Sequence, residues 1–174
     1  MTDSRHGLKN KNMKVVLYMA MTVNGIIAKS DDDTSWISPI EWNSYSETVR
    51  SAGNVVMGHR TYGIITKQPE FSELKNVKVI IVSQRQFTTL AENHVIAKSP
   101  ENALEILKDS ETVIVAGGGK LNASFMQAGL IDEIFLDIEP TAIGQGIKLF
   151  GDTDFDAQLE LIGTKHLWGC ISLR

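Results

Sequence analysis

Thr112-Val-Ile-Val-Ala-Gly-Gly-Gly-Lys-Leu-Asn-Ala-Ser-Phe-Met-Gln-Ala-Gly129 is the stretch around which the chain arranges itself. A short β-branched apolar run stops at three consecutive glycines, and a helical pattern follows at once. That order reads as a buried strand, a turn without Cβ atoms and a helix N-terminus. Glycines let a ligand approach the backbone, and the free N–H groups of a helix start attract an anion. One reading is a phosphate-bearing ligand seated over Gly117, Gly118 and Gly119; the other is a turn that only packs strand closely against helix. Named phosphate motifs do not fit. The dinucleotide fingerprint asks for glycine where Asn122 stands, and the Walker A pattern asks for glycine at Ile114 and Ser or Thr at Leu121.

Outward from this unit, short apolar runs recur. Lys14–Met21, Asn54–Gly58, Val77–Val82, Val95–Ala97 and Glu133–Glu139 read as strands, several of them apolar enough to be buried on both faces. Between them lie helical patterns. Ser38-Pro39 opens one as N-cap and first helical residue, with an apolar stripe of Ile40, Trp42, Tyr45 and Val49 and a stop at Gly53. Ser99-Pro100 opens another, running to Asp109 with Ala103, Leu104 and Leu107 inward, and His59–Tyr62 starts a third directly after Gly58. Residues 26–36, with Asp31-Asp-Asp33, show no periodicity and read as a solvated loop; Pro140–Gly151 reads as a glycine-containing loop with Ile143, Ile147, Leu149 and Phe150 available for packing. Gln158–Ile162 and Cys170–Leu173 alternate and read as a final antiparallel pair. Strands alternating with helices predict an α/β fold with a mainly parallel central sheet.

Composition narrows the function. A chain of 174 residues with 43% hydrophobic and 22% charged content is expected to form one domain with a real core, residues 13–174, behind a flexible polar leader at 1–12. A net charge of −4 offers no large basic surface, so neither nucleic acid nor an acidic membrane is an expected partner. No apolar run approaches bilayer length, and the N-terminus lacks the apolar segment of a secretory signal. Cys170 is the only cysteine, so no intrachain disulfide is possible and a reducing, cytoplasmic setting fits. Three adjacent acids at Asp31–Asp33 could suggest a metal, but their spacing matches no metal-binding loop and none is expected.

In open α/β sheets ligands collect at the carboxyl ends of the strands. Four such ends carry unusual residues: Thr22–Gly25, Gly58–Thr61, Ser83–Arg85 and Gly117–Lys120. If those strands are parallel, all four lie on one rim. Arg60, Thr61, Ser83 and Arg85 would then supply guanidinium and hydroxyl groups suited to phosphate, and an arginine near the ribose is the usual acceptor of a 2′-phosphate.

Met19-Ala-Met-Thr-Val-Asn-Gly25, Val55-Val-Met-Gly-His-Arg-Thr-Tyr62, Val82-Ser-Gln-Arg85, Val115-Ala-Gly-Gly-Gly119 and Ile134–Phe150 occur in an order that resembles the dihydrofolate-reductase-like superfamily. Within it, the reductase domain of the riboflavin-biosynthesis deaminase–reductase is the better match, and the likeness covers everything from Met13 onward. The resemblance implies an NADPH-dependent reductase with a mainly parallel sheet of about eight strands, helices on both faces and an antiparallel C-terminal edge. It implies that Gly58, His59, Arg60, Thr61, Ser83, Gln84 and Arg85 hold the adenosine-side phosphates. Ala116, Gly117, Gly118, Gly119, Lys120 and Leu121 would hold the pyrophosphate, and Ala20, Thr22, Gly25 and Ile27 would border the nicotinamide.

The likeness has departures. Riboflavin-type reductases usually carry Asp where this chain has Asn24, the expected substrate contact from the first loop. Folate reductases carry an acid on the first helix. Glu41 is the nearest candidate here, about one residue out of register when counted from Gly58, and an acid at a helix start also has a structural reason to be there. Asp137 and Glu139 are rivals for the catalytic acid. Trp36 and Trp42 are candidates for the substrate wall and equally for core packing. No Ser–His or Cys–His constellation points to covalent catalysis. The expected activity is hydride transfer from NADPH to a small heterocyclic or ribosylaminopyrimidine-like substrate, with dihydrofolate reduction and a catalytically silent NADP-binding protein as alternatives. A homodimer through the C-terminal edge, carrying Leu161, Leu167, Trp168 and Ile171, is expected because that edge needs covering.

Overall fold

The structure is a computed structural model and describes residues 12–167 and 170–173. The leader residues 1–11 and Trp168 therefore lie outside the described residues. Ten strands and four α-helices follow in the order β1 (Lys14–Thr22), β2 (Ile26–Lys29), α1 (Pro39–Ala52), β3 (Asn54–Gly58), α2 (His59–Ile65), β4 (Lys78–Val82), β5 (His94–Ala97), α3 (Pro100–Ile106), β6 (Thr112–Val115), α4 (Gly119–Gln127), β7 (Glu133–Glu139), β8 (Gly146–Lys148), β9 (Thr164–Leu167) and β10 (Cys170–Leu173). A 3-10 turn at Pro69–Leu74 leads into β4.

Eight strands form one sheet in the order β5-β4-β3-β6-β1-β7-β10-β9. The first six are parallel; β10 pairs antiparallel with β7, and β9 pairs antiparallel with β10. The parallel strands read as continuous apolar runs because helices cover both faces. Val15, Leu17, Val56, Ile80, Val113 and Val115 meet α3 and α4 through Ala103, Leu104, Leu121 and Phe125. Val16, Tyr18, Val55, Met57, Val79, Ile81 and Ile114 meet α1 and α2 through Tyr45, Val49 and Tyr62. The odd–even split along each strand is the period-2 alternation of the pleat.

Local sequence explains the helix limits. Ser38 caps α1 by accepting from the Glu41 N–H at 3.3 Å, Pro39 begins the helix, and Gly53 ends it in the left-handed region at φ 70°. Ser99 caps α3 in the same way through Asn102 N–H.

Three segments depart from the sequence reading. The loop expected over residues 26–36 begins with β2, which pairs antiparallel with β8 inside the supposed 140–151 loop. This ribbon joins residues more than a hundred positions apart, which no local pattern signals. Gln158–Ile162 is not a strand; the antiparallel pair is β9 with β10. The β9–β10 ladder reaches only to Thr164 opposite Leu173, so no β10 residue lies opposite Gln158–Ile162. Leu159, Leu161 and Ile162 stand 68%, 67% and 65% exposed, an apolar strip on the surface. No helix among the described residues is long and apolar enough to cross a membrane.

Candidate functional site

β1, β3, β4 and β6 are parallel, so their carboxyl ends do share one rim. At its centre Gly117 adopts φ 81° and a cis peptide joins it to Gly118, which is the N-cap of α4. No side chain caps that helix, so Gly118 leaves first-turn amides without a side-chain acceptor. The turn is tied to β3 by Gly58 N–H donating to the Gly117 carbonyl at 2.8 Å and Ala116 N–H donating to Val56 at 2.9 Å. A Cβ on Gly118 would meet Thr61 Oγ1 at 3.3 Å, which places the first turn of α2 beside the glycine turn. Asn122, fully buried on α4, donates to the Leu149 carbonyl at 2.8 Å while its Oδ1, near Gly117, has no partner. An uncapped helix start and a turn without Cβ atoms fit a phosphate-bearing nucleotide, whereas the orphaned Asn122 Oδ1 beneath them is suited to a hydrogen-bond donor and not to phosphate.

The residues expected on the adenosine side also converge. The His59 ring packs on Phe87 with centroids 4.4 Å apart, joining the start of α2 to the turn after β4. Ser83 is buried and shapes that turn, its Oγ accepting from Arg85 N–H at 3.0 Å. Gln84 is spent on the Lys98 carbonyl, while the Arg85 and Lys120 side chains are exposed. Arg60 holds a surprise: its guanidinium grips Asp32, Nε donating to Oδ2 at 3.0 Å and Nη2 standing 2.8 Å from Oδ1. The Asp31–Asp33 loop is thus attached to the first turn of α2, beside the glycine turn.

Where a nicotinamide is expected, Ala20 and Ile27 are buried, and Thr22 is buried with its hydroxyl accepting from Ile26 N–H and donating to Asn24. Gly25, at φ 81°, closes this turn. The carboxamide of Asn24, expected to face substrate, has both ends on the backbone of Ile143.

Beyond this turn lie three carboxyl groups. The parallel register sets Ala20 opposite Asp137 and Thr22 opposite Glu139, and Glu41 descends on them from α1. All three are at least 96% buried. Glu41 occupies the third position after the Ser38 cap, where an acid commonly reaches back to the cap N–H. Here Ser38 N–H donates instead to Glu139 Oε1 at 3.0 Å, so the helix start makes no use of the Glu41 carboxyl. Burial, then the charges of Asp137 and Glu139, push that carboxyl from an ordinary 4.5 up to about 8. Tyr18 donates to Asp137 Oδ2 at 2.7 Å and shares a 2.8 Å hydrogen bond with Ser44; burial and then Asp137 hold its phenol far above the usual range. Tyr45 OH, Asp137 Oδ1 and the Nε1 atoms of Trp36 and Trp42 are buried without partners, a mixed set of donors and acceptors. A buried acid titrating near neutrality among unsatisfied donors and acceptors is able to bind a polar heterocycle and pass it a proton.

The sequence pointed to Glu41, Asp137 and Glu139 separately but not to their union. Asp137 lies two strands from β6, with β1 between. Tyr18, Ser44 and Tyr45 were not singled out as site residues. Tyr18 had one signal, its place on the same face of β1 as Ala20 and Thr22.

Residues 13–170 match the family model of the RibD C-terminal domain. The uncharacterized protein YwjB of Bacillus subtilis is 26% identical over 92% of this chain and 95% of its own length. Dihydrofolate reductase type 1 of Escherichia coli is 29% identical over 74% of this chain and 78% of its own. Among solved structures, RibD of Acinetobacter baumannii superposes with a TM-score of 0.74 at 19% identity, over 92% of this chain. The chain spans 56% of the length of that larger protein. The sheet order, the rim and the family match agree: this chain belongs to the RibD C-terminal domain family.

Proposed function

We propose that this protein is an NADPH-dependent reductase that reduces a small heterocyclic substrate of the ribosylaminopyrimidine kind. The observation that carries the proposal is Glu41, buried, released from helix capping and titrating near neutrality at the rim that also bears the glycine turn. In this reading Gly117–Lys120 and the start of α4 seat the pyrophosphate, and Arg60, Thr61, Ser83 and Arg85 face the adenosine-side phosphates. A bound dihydronicotinamide supplies the hydride. Glu41 holds the proton that completes the reduction, burial and then the charges of Asp137 and Glu139 keep that proton on Glu41 at neutral pH, and Trp36 and Trp42 exclude water. Residues 13–174 act as one reductase domain. The exposed strip of Leu159, Leu161 and Ile162 beside the C-terminal edge is where two copies associate as a homodimer.

Dihydrofolate reduction is the second reading, favoured by an acid in the first turn of α1 and by the 29% identity to a dihydrofolate reductase. Oxidation of NADPH followed with dihydrofolate and, separately, with a ribosylaminopyrimidine phosphate distinguishes the two. Binding of NADPH without turnover of either, or of any related imine, would remove the reductase reading and leave a binding protein.

A further inference from the structure

Residues 30–36 form a loop bound mainly to itself. Asp32 N–H donates to the Lys29 carbonyl, Lys29 N–H to Asp33, and Asp33 N–H to Asp31. The Asp33 carboxylate takes the Lys29 ammonium at 2.5 Å and the Ser35 N–H at 2.9 Å. Among the described residues, the only hydrogen bond or ion pair that residues 30–36 make outside 29–37 is the one from Asp32 to Arg60. Asp32 is held for it in the left-handed region, at φ 71°, the sole non-glycine residue there among those described. The acid is set and partly buried, with 23% of its side chain exposed, whereas Arg60 reaches it from solvent, 68% exposed. Arg60 stands one residue before Thr61, which lies beside the glycine turn, and the loop ends at Trp36, two residues before Ser38, whose N–H is held by Glu139.

One guanidinium fork cannot grip a carboxylate and a phosphate with the same donors. Exposed ion pairs are weak, whereas a bidentate arginine–phosphate pair is among the stronger charge-assisted contacts, so exchange favours the phosphate. We propose that Asp32 occupies Arg60 in place of a nucleotide 2′-phosphate, so that a 2′-phosphorylated cofactor releases the 30–36 loop and an unphosphorylated one leaves it pinned. Asp32 is then a specificity-determining residue that never touches cofactor: it makes loop release depend on the phosphate that distinguishes the two nicotinamide dinucleotides. This rests on the NADPH reading above.

The test is hydrogen exchange of amides 30–36 in the full chain, with adenosine 2′,5′-bisphosphate or adenosine 5′-monophosphate as probes, in wild type and Asp32→Asn. Asparagine tolerates the left-handed conformation, so the variant keeps the loop path while losing the charge. In wild type the bisphosphate is expected to accelerate exchange across 30–36 several-fold and the monophosphate to leave it unchanged. Asp32→Asn is expected to exchange fast without ligand and to gain nothing from the bisphosphate. Slow exchange in ligand-free Asp32→Asn, or equal acceleration by both probes, overturns the pin while the cofactor reading stands. Absence of saturable bisphosphate binding to wild type removes the cofactor reading and the coupling together.

Discussion

Glu41 is the residue on which most depends. Its carboxyl is raised to about 8 in the folded protein against 4.5 ordinarily, so between those values the folded state holds a proton that the unfolded state has lost. The stabilisation is therefore complete below about 4.5 and declines as pH rises through about 8. Thermal melts are expected to show the transition temperature falling from pH 6 to pH 9, and Glu41→Gln to flatten that slope, since the amide has no charge to bury. A slope that survives in the variant would assign it elsewhere. The same titration governs catalysis: as the proton donor, Glu41 predicts turnover that falls above about pH 8, and Glu41→Gln a loss of roughly a hundredfold or more at pH 7. A profile with no alkaline limb and near-normal turnover in Glu41→Gln would discard that role. The sequence made Glu41 visible but ambiguous, because an acid three residues after Ser38 has an ordinary capping use. Only the Ser38–Glu139 hydrogen bond, which spans 101 positions, shows that use to be taken.

At the level of elements, the glycine turn separates fold from ligand. Gly119 is enclosed: a Cβ there would sit 2.5 Å from the Lys148 carbonyl and 2.8 Å from Gly151 N. Gly119→Ala is expected to destabilise by about 1–3 kcal/mol as overpacking forces the backbone apart, measured by urea unfolding. Gly118→Ala meets only Thr61 Oγ1, at 3.3 Å on a side chain able to rotate, so its stability should change by about 1 kcal/mol or less. The new methyl group would stand where a nucleotide must approach, and NADPH affinity should fall at least tenfold; unchanged affinity would move the pyrophosphate away from this turn. Strands β1, β3 and β4 were legible because burial on both faces leaves a mainly apolar run, and α1 because Ser38-Pro39 and Gly53 bracket it. The β2–β8 ribbon was not legible, being short and wholly non-local. Gln158–Ile162 misled for the opposite reason: alternation is local, but a strand also needs a neighbour, and β10 supplies pairing only as far as Thr164.

For the molecule as a whole, the cofactor reading has a thermodynamic signature. A ligand present at a hundred times its dissociation constant adds about 2.7 kcal/mol to the folded state, roughly 5–10 °C in melting temperature for a chain of this size. NADPH is expected to give that shift and NADH, at equal concentration, a clearly smaller one; equal shifts would deny Arg60 and Arg85 a 2′-phosphate. Sedimentation should report a dimer, and serine at Leu159, Leu161 and Ile162 together should favour the monomer without lowering the melting temperature of the subunit itself. The parallel order of the rim was inferable from the chain, since apolar runs separated by helices make parallel neighbours. The acid cluster was not, because strand order across β6, β1 and β7 is set by packing.

That order also bears on how the chain is made. β1 and β3 never touch; β6 lies between them, bonded to both, and buried Asn54 joins the seam by donating to the Thr112 carbonyl and accepting from Ile114 N–H. A ribosome releases β1 through β5 and α1 through α3 well before the strand that unites them. Until residues 112–115 have emerged, the nascent chain has β5-β4-β3 on one side and β1 as a lone strand on the other, with an empty slot between them and unpaired edges exposed. The glycine-bearing unit is thus the keystone of synthesis: translation must pass it before the sheet closes.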